Sequence, residues 1–167
     1  GRLFQIILLV AFTLWILIIY RGVKPWLTKK NLWSVPAWLL YGSGIMVGFL
    51  FFGLLVSPDT NFAVADYWRW MVVHMWVEVT FEVFTTVIVA YMLVQMGLVT
   101  RLMAERVIFL AVMLFLLTAT LGISHNFYWI AKPTGIIAIG SVFSTLQVLP
   151  LLLLTLDAWQ MRQEGGR

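Results

Sequence analysis

YWRWMVVHMWVEVTFEVFTTVIVAYMLVQM, residues 67–96, is long and apolar enough to cross a membrane, yet it carries His74, Glu78 and Glu82 in its interior. Ionisable groups at membrane depth are expensive unless they are paired or bound to metal, so their presence points to function. The spacing i, i+4, i+8 places all three on one slowly drifting face of a 3.6-residue helix. Met75, Trp76, Val77, Val79 and Phe81 take the other faces, where they can meet lipid or neighbouring helices. The stretch reads as half of a buried metal site with a carboxylate leading away from it.

The rest of the chain supplies the bilayer context. Of 167 residues, 62% are hydrophobic and only 11% charged, which is outside the range of soluble domains and inside that of integral membrane proteins. The absence of cysteine excludes disulfides and thiolate metal sites. The net charge of +4 sits in loops, so it reads as membrane topology rather than a nucleic-acid footprint. Five stretches fit the hydrocarbon thickness: 3–20, 37–56, 67–96, 102–124 and 134–157. Gly44 and Gly48 form a G-x-x-x-G, which predicts close helix packing, and Pro150 predicts a kink or a freed carbonyl one turn earlier. With no linker, low-complexity tract or internal repeat, the expected fold is all-α, a bundle of about five transmembrane helices. The chain opens on Gly1-Arg2 with no signal peptide and reads as an internal piece of a longer protein, residues 1–167 being part of a larger transmembrane domain.

Counting Lys and Arg by side predicts an N-terminus outside and a C-terminus inside. The inner loops would then hold Arg21, Lys24, Lys29, Lys30, Arg101, Arg106, Arg162 and Arg167, and the outer side Arg2, Arg69 and Lys132. His74 then lies roughly 10 Å below the outer start of its span, at 1.5 Å per residue. The next span rises toward the same face and ends at His125. The only two histidines therefore fall in the same outer third of the bilayer, on spans that a short loop makes antiparallel neighbours.

Imidazole with carboxylate suits iron, zinc or manganese, and a cation would offset the cost of burying Glu78. The structural alternative is a His74–Glu78 hydrogen bond that braces the bundle. A di-iron carboxylate centre fits poorly, because its repeated Glu-x-x-His is missing. Glu82 has two readings: a protonated carboxyl bonded to backbone or to Thr85 or Thr86, or a group that passes protons toward the metal. Ser144 and Thr145 read as structural hydrogen-bonding residues in an otherwise apolar span.

YWRWMVVHMWVEVTFE, GISHNFYWI and GSVFSTLQVLP together resemble consecutive helices of the membrane nitric oxide reductases, relatives of the haem–copper oxidases, the quinol-dependent branch above all. The shared pattern is H-x-W-V-E-x-x-x-E followed by G-x-x-H, and the likeness runs over essentially the whole chain. The resemblance implies a non-haem iron held by His74, Glu78 and His125 beside a high-spin haem b, with Glu82 supporting the carboxylate and proton delivery. The axial ligands of that haem and of a low-spin haem b are expected outside this piece, because both histidines are assigned to iron. Two positions depart from the family: its second adjacent histidine is Asn126, and the glutamate of its F-S-x-L-E segment is Gln147.

Both departures fall at the implied active site, so Asn126 and Gln147 join Glu82 as candidate catalytic residues. Reduction of two NO to nitrous oxide consumes two electrons and two protons, whereas conversion of two NO to N2 and O2 consumes neither. His-Asn at this position is similar to nitric oxide dismutases, the quinol-type paralogs proposed to carry out that conversion. The expected function is thus NO dismutation in a bacterial cytoplasmic membrane, with quinol-dependent reduction to nitrous oxide as the alternative. A metal-free proton relay or transporter bundle, or an inactive structural subunit, is the alternative from another class. The expected partners are nitric oxide, the lipid bilayer, the remaining helices of the full chain and, as an open question, quinol; no nucleic acid is expected.

Overall fold

The computed structural model describes residues 1–122 and 131–165. Among the described residues, five helices are long and apolar enough to cross a membrane. They are α1 (Arg2–Val23), α2 (Val35–Leu50), α3 (Phe62–Gln95), α4 (Arg101–Leu121), and a last span divided into α5 (Thr134–Leu146) and α6 (Val148–Gly165). The chain is an all-α integral membrane bundle, and no strand occurs among the described residues.

Local chemistry sets the ends of these helices. Pro36 lies in the first turn of α2, where a missing N–H costs nothing. The Asn61 side chain caps α3 by accepting from Ala63 N–H at 3.0 Å, and Thr100 caps α4 by accepting from Met103 N–H at 3.2 Å. At the far end of α3, Gly97 takes φ 71°, which allows Leu98 N–H to reach back to Leu93 C=O at 2.9 Å. This left-handed closure satisfies the last carbonyls and is open to glycine without strain. The antiparallel return of α4 depends on it.

The helix expected over 134–157 is interrupted at Gln147. Pro150 has no N–H to give Leu146 C=O, and Gln147 N–H turns to Ser144 C=O at 3.4 Å instead of continuing the ladder. Of the two outcomes expected from Pro150, the freed carbonyl one turn earlier is the one found, and the ladder is interrupted at Gln147 while its backbone keeps helical angles.

The core lies between α2, α3 and α4. Val79, Val83, Val87 and Ala90 of α3 meet Met46, Val47 and Leu50 of α2 and Ala104, Val107, Ile108 and Ala111 of α4, all buried. Helix α1 packs against α2, sends Leu9 into this core and exposes most of its apolar surface. Gly44 and Gly48 of the G-x-x-x-G are exposed, and a Cβ on either would touch nothing within 4 Å among the described residues. The close approach falls on Gly42, where a Cβ would sit 3.7 Å from Phe84 Cα and from Val83 Cγ1. That is ordinary contact for a methyl group and leaves no room for more. Gly42→Ala is therefore expected to melt with the wild type, and Gly42→Leu to lose about 1–3 kcal/mol of stability by overpacking. Thermal unfolding of the purified full-length variants reads the difference, and equal melting of both would place the helix crossing elsewhere.

Candidate metal centre

Helix α3 runs without a glycine or proline from Phe62 to Gln95, yet it is not wound uniformly. Met71–Trp76 and Val79–Phe84 are π-helical, with i→i+5 hydrogen bonding and a wider turn. Thr85 Oγ1 follows the same reach, donating to Thr80 C=O at 2.8 Å. In an α-helix, residues four apart drift by about 40°, so three such steps would turn a side chain through about 120°. Here Met75, Val79, Val83 and Val87 are all buried, four residues apart. The column beside them runs His74, Glu78, Glu82, Thr86, of which His74, Glu78 and Thr86 are buried and Glu82 half-buried. The widened turns cancel the drift, and the polar groups line up along one wall of the helix.

His74 and Glu78 are drawn together by this winding: Nδ1 stands 2.9 Å from Oε1, with both side chains inside the bundle. A metal bound by two adjacent donors, each at about 2.0–2.2 Å, holds them close to that separation. The same two atoms can share a proton or grip a cation, and their nitrogen and oxygen chemistry fits iron. Among the described residues no further His, Asp or Glu joins them to make a group of three. His125 and Asn126, the candidates from the following span, lie outside the described residues.

Glu82 sits one step further down the column. Neither threonine considered as its partner holds its carboxyl. Thr86 Oγ1 donates to the Glu82 backbone carbonyl at 2.7 Å, and Thr85 to Thr80, while Glu82 Oε2 is buried with no hydrogen-bond partner among the described residues. The hydroxyls of Thr85 and Thr86 thus donate to backbone carbonyls and not to the Glu82 carboxyl. Ser144 and Thr145 behave as structural residues, donating to Gly140 and Ser141 carbonyls at 2.8 Å each.

Gln147 is buried at the break between α5 and α6. Its Nε2 donates to Thr118 Oγ1 of α4 at 2.9 Å, and Thr118 Oγ1 donates to Phe143 C=O at 3.3 Å. Thr118 opens another π-helical stretch, Thr118–Gly122, shortly before His125 and Asn126. Sequence gives no sign of Thr118, since a threonine in an apolar span, here with Thr120 two residues on, carries no signal. Trp76 is equally silent there: its ring packs edge-on to Phe12 at 6.5 Å, and its Nε1 is buried with no partner among the described residues. The strict period of four in His74, Glu78, Glu82 and Thr86 is a readable sign of π winding.

Residues 1–165 match the family described as cytochrome c and quinol oxidase polypeptide I. The chain is also 34% identical over 118 residues to a nitric oxide reductase subunit of Stutzerimonas stutzeri. That alignment takes in 71% of this chain and 24% of the relative, so the chain spans about a quarter of that protein's length. No solved structure matches.

Proposed function

Because the chain belongs to the cytochrome c and quinol oxidase polypeptide I family, we propose that it is the metal-bearing part of the catalytic subunit of a nitric oxide-converting membrane enzyme. The observation that carries this reading is the buried His74–Glu78 pair at 2.9 Å on a helix wound to align it. His74 and Glu78, with His125, would hold a non-haem iron beside a haem whose ligands come from the rest of the protein. Iron bound there supplies a site that coordinates NO and exchanges electrons with it.

The chain's own residues shape the surroundings of that pair. Val79, Val83 and Phe84 keep bulk water away, which strengthens every electrostatic interaction within it. Glu82, half-buried and one step further down, holds a proton or passes one toward Glu78. Gln147 stands where the resembled reductases carry a glutamate, and an amide neither stores nor delivers a proton at neutral pH. Asn126 stands where the resembled reductases carry a second histidine ligand, so one position on the iron would be weakened or opened. A changed ligand set with less proton supply suits rearrangement of two NO into N2 and O2, which consumes no protons or electrons. Dismutation is the specific reaction proposed, and reduction to nitrous oxide is the second reading, favoured by the likeness to the nitric oxide reductase of Stutzerimonas stutzeri. A metal-free relay accounts for the same residues but not for the family.

The test uses the full-length protein in anaerobic membranes fed with 15N- and 18O-labelled NO, with gases followed by mass spectrometry. Labelled O2 and N2 at a rate independent of an electron donor are expected. Labelled nitrous oxide that requires the donor overturns dismutation in favour of reduction, and no conversion under either condition overturns both.

A further inference from the structure

We infer that Thr118 is a positioning residue that locks the Gln147 amide, with its nitrogen turned to α4 and its carbonyl oxygen left as the acceptor offered to the bundle interior. Hydrogen-bond accounting at the break in the last span leads there. Phe143 C=O would ordinarily receive the N–H of Gln147, four residues on, but that N–H has turned to Ser144 C=O at 3.4 Å. A carbonyl stripped of its helical donor inside a membrane must find another. Thr118 Oγ1 supplies it, at 3.3 Å from α4.

A hydroxyl has one hydrogen. With that hydrogen given to Phe143, Thr118 can meet Gln147 only as an acceptor, so the side of the amide facing it must be Nε2, at 2.9 Å. Were the amide turned over, its oxygen would oppose an oxygen with no hydrogen left to give. Gln147 Oε1 therefore points the other way, buried and with no partner among the described residues. Its rotation is fixed by a helix break three residues before Pro150 and by a threonine on a different span.

The chemical consequence rests on the reading of Gln147 as a residue of the NO-converting site. Locked this way, Gln147 accepts a hydrogen bond from a hydroxyl-bearing group such as water or a protonated carboxyl. One amide hydrogen is committed to Thr118 Oγ1, and the carbonyl oxygen is the acceptor left over.

Orientation and function are tested separately in the full-length protein. Glutamine labelled with 13C at the side-chain carbonyl gives infrared bands, and the one lost in Gln147→Leu belongs to Gln147. Thr118→Val is expected to shift that band and to slow NO consumption about tenfold or more, whichever gas is formed. Thr118→Ser, which keeps the hydroxyl, is expected to restore both. Added to Gln147→Leu, Thr118→Val is expected to slow the reaction no further, because it acts through the amide. An unshifted band in Thr118→Val overturns the lock. A shifted band with unchanged NO consumption overturns the placement of Gln147 at the site while leaving the lock standing. If Thr118→Val fails to assemble, Thr118→Cys, with a weaker donor and acceptor, is expected to move the band part of the way, and an unmoved band there overturns the lock equally.

Discussion

Replacing Glu78 by alanine in the full-length protein is expected to lower NO consumption by at least about 100-fold and to remove most of the non-haem iron. Two effects combine in that result. The carboxylate is one of two donors the chain sets 2.9 Å apart inside the bundle, and losing a direct ligand should exceed the roughly 10–100-fold seen when outer partners of a metal site are lost. The substitution also removes the carboxylate that His74 Nδ1 meets at 2.9 Å, and a hydrogen bond to a charged group contributes about 1.5–3 kcal/mol. Glu78→Gln separates the two, because it keeps the shape and an acceptor for His74 but weakens the hold on a cation. Iron analysis and NO uptake on both variants decide the matter. Full iron and full turnover in Glu78→Ala would remove this pair from the active site.

The second large effect is a change of product. Converting Asn126→His and Gln147→Glu together returns the two residue types that the reductases carry at these positions. The pair is expected to cut labelled O2 at least about tenfold and to bring donor-dependent labelled nitrous oxide in its place. The Gln147→Glu half has a specific requirement: to sit against Thr118 while Thr118 still serves Phe143, the new side chain must donate, which a carboxyl does only with its proton on. The variant thus brings in the kind of group that reduction uses. O2 and N2 output untouched by the double change would show that neither residue selects the reaction.

Sequence makes much of this legible and leaves specific parts hidden. The five spans follow from apolar length, and the His74–Glu78 pair from an i, i+4 spacing at membrane depth. Pro150 announces a break, and its missing N–H explains where the ladder fails. The winding of α3 shows in sequence only through the period of four in His74, Glu78, Glu82 and Thr86, with no glycine or proline between Phe62 and Gln95 to mark it. G-x-x-x-G does not say where α2 meets α3, because glycine spacing says which residues share a face, not which face meets a given neighbour. Gly42 of the same helix makes the approach. Thr118 is unreadable for another reason: its role depends on a carbonyl 25 residues away that loses its donor only in the folded chain.

The aligned wall of α3 separates two properties that an ordinary helix ties together, the depth of a side chain and its compass bearing. On a regular spiral, descending by a turn also swings the group toward a different neighbour. On α3 a group can be moved deeper while still facing the same way, so imidazole, carboxylate, carboxylate and hydroxyl are presented in sequence to one side at graded distances from the membrane surface. Such an arrangement is encoded by residue count as much as by residue type. Loss of a single residue from an ordinary turn of α3 would swing everything on one side of the loss through about 100° against everything on the other. A widened turn can give up one residue by closing to an ordinary one, so which valine is lost matters as much as that a valine is lost.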